Sequence, residues 1–146
     1  MRRRLTPAVA VVLLAGLAVV SAAQQEAEEL SSPTLRIEWA AFKKLYDAKQ
    51  IEVVDIRDRD AFKLGRIPGA RSIPLDEVEK HVEVLKKLRK PIVTYCACRG
   101  EDSSARAALR LQKKGVDARA LVGGYHKWLE VEARAERGLT TGPRNP

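Results

Sequence analysis

Short apolar runs rich in β-branched residues alternate along this chain with segments whose apolar residues recur at helical spacing. The predicted strands are Ile51–Ile56, Ser72–Ile73, Ile92–Tyr95 and Ala118–Val122. The predicted helices cover about 39–46, Asp58–Leu64, Leu75–Leu88, Ser104–Lys114 and the segment from Tyr125 onward. This alternation restricts the fold to an α/β domain with a mainly parallel sheet, right-handed crossovers and helices on both faces.

The 146 residues, 45% hydrophobic and 32% charged, suffice for one globular domain with its own core. The polar, acidic segment before Thr34 has the composition of a tether. The predicted organisation is therefore a signal peptide at 1–23, a polar linker at 24–33, the α/β domain at 34–136 and a flexible tail at 137–146.

The amino terminus has the pattern of an export signal. Arg2–Arg4 are basic, Ala8–Val20 is an unbroken apolar run, and Ser21–Ala23 are small. We expect cleavage after Ala22 or Ala23 and export to the periplasm or the cell exterior. An uncleaved membrane anchor is the alternative, although the apolar run is shorter than the roughly 20 residues that span a bilayer.

The charge pattern argues against nucleic-acid binding. The formal net charge of +8 includes three arginines of the predicted signal, and elsewhere basic residues alternate with acidic ones, as in Asp76–Lys90. Such alternation is typical of solvated helix faces. His81 and His126 are the only histidines, so no metal site is predicted, and neither is a cofactor.

The segment after the strand Ile92–Tyr95 carries the candidate chemistry. In parallel sheets, ligands bind beyond the carboxyl ends of the strands, where unpaired amides at a helix start favour negative charge. A thiolate there should be stabilised, with a lowered pKa. The candidate thiols are Cys96 and Cys98. The candidate anion-binding loop is Ala97, Arg99, Gly100, Glu101, Asp102, Ser103 and Ser104, with Ser capping the following helix.

Four motifs, in the right order, resemble those of the rhodanese homology domain over about Thr34–Trp128. They are the strand end Val53–Arg57, the Gly-Arg-Ile-Pro-Gly-Ala stretch Gly65–Ala70 with Ile73–Pro74 after it, the Tyr95–Cys96 strand and loop, and Val122–Trp128 with its Gly-Gly-x-x-x-Trp pattern. The resemblance implies sulfur transfer through a cysteine persulfide, with a small-molecule or protein sulfur donor and acceptor.

Two alignments of the thiols remain open. Aligning the strand places Cys96 at the family's catalytic position with a two-residue insertion after it, whereas aligning the following helix places Cys98 there. We favour Cys96, because the strand fixes its position while loops absorb insertions. Cys98 is then an alternative nucleophile, or a resolving thiol that attacks a Cys96 persulfide and closes a disulfide.

The loop departs from the family pattern in its charge. Glu101 and Asp102 stand where the family often carries Arg, and carboxylates there should weaken the binding of a dianion such as thiosulfate. A thiol persulfide is therefore the expected donor.

Other interpretations compete with catalysis. The thiols could form a structural or inert bridge, although a loop across one residue adds little stability. Asp55 and Arg57 are expected to organise hydrogen bonds in support of the site. A non-catalytic binding module of the same fold is the alternative function, and a phosphatase is disfavoured because Ser103 or Ser104 replaces the closing Arg.

Overall fold

The computed structural model describes residues 23–136, and it contains five strands and five α-helices from Pro33 onward. The strands are β1 (Arg36–Ile37), β2 (Glu52–Asp55), β3 (Arg71–Ser72), β4 (Ile92–Tyr95) and β5 (Ala118–Leu121). The helices are α1 (Trp39–Asp47), α2 (Arg59–Leu64), α3 (Val82–Lys87), α4 (Asp102–Lys113) and α5 (Gly124–Glu136). Short 3₁₀ turns cover Pro33–Leu35, Val78–His81 and Arg99–Glu101.

All strand pairs are parallel, and the sheet order is β1-β5-β4-β2-β3. The predicted α/β class with a parallel sheet is confirmed. Because the strands run in one direction, their carboxyl ends meet at one edge of the sheet. There, Asp55 at the end of β2 lies opposite Tyr95 at the end of β4.

The chain divides into two units between Ser32 and Pro33. In the first unit, residues 23–31 form an exposed helical stretch where the composition predicts a polar tether. Of the helices that the structure describes, none has the length and apolar character needed to cross a bilayer. The predicted signal peptide, up to residue 22, and the predicted tail at 137–146 lie outside the described residues.

One face of the sheet carries the aromatic part of the core. Val53, Val93 and Tyr95 alternate toward this face, where Phe42 of α1 and Trp128 of α5 cover them. The ring centroids of Trp39 and Trp128 lie 6.2 Å apart. Helices α1 and α5 therefore close one side of the sheet.

Helix α4 covers the other face. Its buried side chains include Ala107, Ala108 and Leu111, and the helix packs on β4 and β5. The hydroxyl of the fully buried Thr94 donates to the carbonyl oxygen of Ser104 at 2.9 Å. The first turn of α4 is thus tied to β4 beside the residue that follows the strand.

The sequence predicted one helix in place of two shorter elements and missed one strand. The helix predicted over Leu75–Leu88 is a 3₁₀ turn followed by the six-residue α3, because the same apolar spacing buries Val78, Val82 and Leu85 in either form. Helix α3 ends at Lys87, and Arg89, a residue with positive φ, follows it before Pro91. Strand β1 was not predicted, since two residues are too few to show a period.

Candidate functional site

Cys96 directly follows Tyr95, the last residue of β4, at the edge where the strands end. The amide of Ile56, which follows β2, donates to the Tyr95 carbonyl at 3.1 Å, so the two strand ends remain paired up to the cysteine. Cys96 is 3% exposed, whereas Cys98 is exposed. The two predicted thiols therefore sit in different surroundings although one residue separates them.

The structure joins Cys96 and Cys98 in a disulfide, with Cα atoms 5.6 Å apart. The sequence left open whether the pair is bonded. Two features let the chain turn back so soon after β4: Cys98 is extended, and the following 3₁₀ turn contains Gly100 and Glu101, both at positive φ. Both cysteines thus lie between the end of β4 and the start of α4.

The start of α4 differs from the predicted Ser-capped helix. The helix begins at Asp102, two residues before the predicted start, and Glu101 at the N-cap makes no side-chain capping bond. Ser104 instead lies buried in the first turn, where its hydroxyl donates to the Glu101 carbonyl at 2.9 Å. Its Oγ also lies 3.6 Å from the Cys96 sulfur. Because a hydroxyl rotates, Ser104 can donate to a Cys96 thiolate once the disulfide is reduced.

Glu101 connects the cysteine loop to the loop after β5. Its Oε1 accepts a hydrogen bond from the Gly123 amide at 2.7 Å. From the sequence, this carboxylate is expected to weaken the binding of anions. In the structure it also holds the turn between Cys98 and α4 in place.

The segment Gly123–His126 supports the back of the cysteine loop. The Tyr125 amide donates to the Cys96 carbonyl at 2.9 Å, and Nε2 of His126 lies 2.8 Å from the Ala97 carbonyl oxygen. A Cβ atom at Gly124 would overlap the Cys96 carbonyl, so this position requires glycine. These contacts fix the carbonyls of the loop. Among the described residues, none accepts a hydrogen bond from the amides of Ala97 or Cys98.

Asp55 and Arg57, predicted as supporting residues, form a closed corner at the end of β2. Nη2 of Arg57 donates to Asp55 Oδ2 at 2.6 Å and to the Gly65 carbonyl at 2.6 Å. The Tyr95 hydroxyl donates to the same Asp55 oxygen at 2.6 Å and accepts from the Ile67 amide at 3.2 Å. The Gly65–Ala70 stretch is thereby held against both strands.

The surroundings of this corner raise the pKa values of Tyr95 and Arg57. Burial, reinforced by the hydrogen bond to Asp55, raises the pKa of Tyr95 well above its ordinary value. Burial opposes the charge of Arg57, but hydrogen bonding and attraction to Asp55 outweigh it and raise the pKa of Arg57. The guanidinium also lies 4.1 Å from the centre of the Tyr125 ring. Arg57 is therefore charged and internally paired.

A cavity of about 380 Å³ opens beside the two sulfurs. The apolar side chains of Ile56, Ala61 and Leu75 form part of its wall. Cys96, Ala97 and Cys98 form another part, with Ser103 beside them. A larger cavity of about 450 Å³ lies by Glu52 and Lys90, at the opposite ends of β2 and β4, and no cysteine lines it.

The charged wall of the sulfur cavity is formed by Arg57 and Asp58. The amides of Ala61 and Asp60 donate to the Asp58 carboxylate and hold the pKa of Asp58 below its ordinary value. A carboxylate that remains ionised thus faces the cavity, while the nearby guanidinium is engaged with Asp55. Within residues 23–136, no three His, Cys, Asp or Glu side chains come together to hold a metal ion.

The family model of the rhodanese-like domain matches residues 38–131, which include both strand ends, the cysteine loop and the first part of α5. The chain belongs to the rhodanese-like domain family. Thiosulfate sulfurtransferase GlpE of Pseudomonas aeruginosa is 35% identical over 80 residues, which cover 55% of this chain and 71% of GlpE. The uncharacterised protein YqhL of Bacillus subtilis is 33% identical over 81 residues. Relatives of this rhodanese-like chain thus include sulfurtransferases.

The match to YqhL covers 55% of this chain and 62% of YqhL, so the chain spans less than two thirds of that relative. Among solved structures, a protein of Rhodopseudomonas palustris described as a possible tyrosine phosphatase superposes with a TM-score of 0.62 at 28% identity. The superposition covers 72% of this chain and 86% of that one. The function of that protein is itself given as unknown, so this superposition supports the fold and not a particular chemistry.

The structure brings together only part of the predicted rhodanese site. Cys96, Ala97, Cys98, Ser103 and Arg57 line the cavity, and Ser104 lies behind the Cys96 sulfur. The remaining loop residues do not line it: Arg99, Gly100 and Asp102 are exposed, Glu101 bonds to Gly123, and Asp55 is enclosed in the corner.

Sequence reasoning missed four cavity residues: Ile56, Asp58, Ala61 and Leu75. Ile56 and Asp58 follow β2, so the rule that ligands bind at strand ends could have identified them. Ala61 and Leu75 had no such signal, because nothing in a sequence shows which apolar residues line a cavity.

Proposed function

We propose that this protein is a sulfurtransferase whose Cys96 thiolate accepts a sulfane sulfur and passes it to a thiophilic acceptor. The thiolate attacks the sulfane sulfur of the donor, the donor's sulfur bond breaks, and the released thiolate or sulfite carries away the electron pair. Attack by the acceptor on the outer persulfide sulfur then restores the Cys96 thiolate. The observation that carries the proposal is the Cys96 sulfur, 3.6 Å from Ser104 Oγ and on the wall of a cavity at the strand ends.

Several hydrogen-bond donors of the cysteine loop and of α4 support an anionic Cys96 sulfur. The Ser104 hydroxyl can turn toward it, and the first turn of α4 presents amides at the positive end of a helix of 12 residues. The Ala97 and Cys98 amides are not used elsewhere by the described residues. Together these groups favour an anionic sulfur.

The cavity supports a thiol persulfide as the donor. Ile56, Ala61 and Leu75 offer apolar surface, the ionised Asp58 repels dianions, and Arg57 is paired with Asp55. Free thiosulfate carries two negative charges and meets no unpaired cation among these lining residues. A low-molecular-weight persulfide or a protein persulfide presents less charge at its sulfur.

The test is a sulfur-transfer assay on the reduced protein, with glutathione persulfide or thiosulfate as donor and cyanide as acceptor. We expect Cys96→Ser to form thiocyanate no faster than a protein-free blank and Cys98→Ser to retain the catalysed rate. Lys87→Ser, an exposed substitution on α3, serves as the control. Loss of activity in Cys98→Ser alone would reverse the assignment of the nucleophile, and higher efficiency with thiosulfate would overturn the proposed donor.

A non-catalytic binding module is the second candidate. It is favoured by the disulfide, because a bonded Cys96 cannot attack a sulfur donor and no free cysteine occurs among residues 23–136. This candidate predicts that the protein transfers no sulfur from either donor even after full reduction.

We also propose that the protein is exported, with removal of residues 1–22 or 1–23. The basic start Arg2–Arg4 and the apolar run Ala8–Val20 support this proposal. Amino-terminal sequencing of the protein recovered from its native compartment should begin at Ala23 or Gln24. An intact amino terminus in the membrane fraction would instead indicate an anchor.

A further inference from the structure

We propose that Cys98 is a resolving thiol, so that the protein reduces sulfane sulfur to sulfide and is reset by an external dithiol. This inference rests on the proposed Cys96 persulfide and adds the fate of its sulfur. The observation behind it is the bond between Cys96 and Cys98, in a loop that hydrogen bonds hold at both ends.

In the folded loop the second sulfur is bonded to the first while both ends of the loop remain attached. Cys96 is fixed by the Tyr125 amide at its carbonyl, and the far side of the loop is fixed by Glu101 through Gly123 and Ser104. Between these attachments, the Cα atoms of the cysteines are 5.6 Å apart, a usual separation for a disulfide. The folded loop therefore accommodates the bonded state.

The two sulfurs differ in exposure in the way that resolution requires. Cys96 is 3% exposed, and its attached sulfane sulfur would extend into the cavity of about 380 Å³. Cys98 is exposed on the wall of the same cavity. Cys98 can thus reach the inner sulfur of the persulfide, while an outside reductant can reach Cys98.

Resolution of the persulfide is a two-electron exchange among three sulfur atoms. The Cys98 thiolate attacks the Sγ atom of Cys96, the bond between this atom and the outer sulfur breaks, and hydrosulfide leaves with the electron pair. The sulfane sulfur is reduced to sulfide while the two cysteines are oxidised to the disulfide. A dithiol then attacks the exposed Cys98 sulfur, Cys96 leaves as thiolate, and the second thiol of the reductant releases Cys98 and becomes oxidised.

The experiment is an anaerobic single turnover. Reduced protein, freed of reductant, receives one equivalent of glutathione persulfide, and sulfide, remaining thiols and intact mass are measured against a protein-free blank. The wild type should release one equivalent of sulfide and lose two hydrogen atoms in mass. Cys98→Ser should keep one additional sulfur and release sulfide at least about tenfold more slowly. Lys87→Ser should behave as the wild type.

The outcomes separate this inference from the proposed function. If Cys98→Ser gains one sulfur and the wild type also retains it, with no excess sulfide, the resolving role is wrong and sulfur transfer through Cys96 stands. If Cys98→Ser and Cys98→Ala both fold and neither gains sulfur, the persulfide itself is wrong. Adding dithiothreitol should restore both thiols of the oxidised wild type and allow a second turnover.

Discussion

The loops after β2 and β4 leave the same edge of the sheet side by side, yet they are held in opposite ways. At the end of β2, side chains bind one another: the Asp55 carboxylate accepts hydrogen bonds from both the Arg57 guanidinium and the Tyr95 hydroxyl. After β4, the Tyr125 amide holds the backbone at the Cys96 carbonyl, and the two cysteines line a cavity. Saturated side-chain hydrogen bonding makes the first loop a support, whereas the second loop is held at its backbone and its two sulfurs are bonded to each other.

Removing the anion at the centre of the β2 corner should have the largest effect on stability. Asp55→Ala leaves the Arg57 charge, on a side chain only 12% exposed, without its partner. We expect the free energy of unfolding to fall by about 3 kcal/mol. Urea denaturation measures this change. Glu77→Ala, which breaks the more exposed pair with Arg59, should lower it by about 0.5 kcal/mol, and equal losses would contradict the comparison.

A methyl group at Gly124 should disturb the loop after β4 from behind. In Gly124→Ala the Cβ would overlap the Cys96 carbonyl, and φ is 49°. We expect a loss of about 2 kcal/mol of stability together with slower sulfur transfer. The matched control is Gly69→Ala, where φ is 78° but nothing lies within 4 Å of the added atom. The control should lose about 1 kcal/mol and keep its transfer rate; a similar rate loss in both would refute the role of the contact.

The Glu101 carboxylate should matter through its hydrogen bond with Gly123. We expect Glu101→Ala to lower stability by about 1 kcal/mol and to slow sulfur transfer several-fold, because the turn before α4 loses its attachment. Glu101→Gln keeps an acceptor oxygen and should recover most of the rate. If the Gln variant is as slow as the Ala variant, the negative charge and not the attachment is required.

The buried Tyr95 hydroxyl of the β2 corner should make the free energy of unfolding depend on pH in the alkaline range. Burial and the bond to Asp55 raise the pKa of Tyr95, so above pH ~10 the unfolded chain loses this proton while the folded protein keeps it. The stabilisation is complete below that pH and is lost as the pH rises. Between pH ~9 and ~11 the free energy of unfolding should fall by about 1 kcal/mol more in the wild type than in Tyr95→Phe. Parallel denaturation curves would contradict this assignment.

The sequence predicted the secondary structure around this site better than the contacts within it. Strand β4 has the predicted bounds, because Ile92–Tyr95 is a run of β-branched and aromatic residues, and Cys96 follows it as expected. The start of α4 was misplaced because Asp102 and Ser103 are as acceptable in a first helical turn as in a loop. Two hydrogen bonds, from Arg57 to the Gly65 carbonyl and from the Gly123 amide to Glu101, join segments that are distant in the sequence. Local sequence patterns do not reveal such contacts.

Sulfur transfer as proposed requires that the Cys96 sulfur at the end of β4, and not the exposed Cys98 sulfur, takes up the sulfane sulfur. Intact mass spectrometry of reduced Cys98→Ser and Cys96→Ser after exposure to glutathione persulfide distinguishes the two sulfurs. We expect a gain of one sulfur atom in Cys98→Ser, removable by cyanide, and no gain in Cys96→Ser. A gain in Cys96→Ser alone, or in neither folded variant, would contradict it.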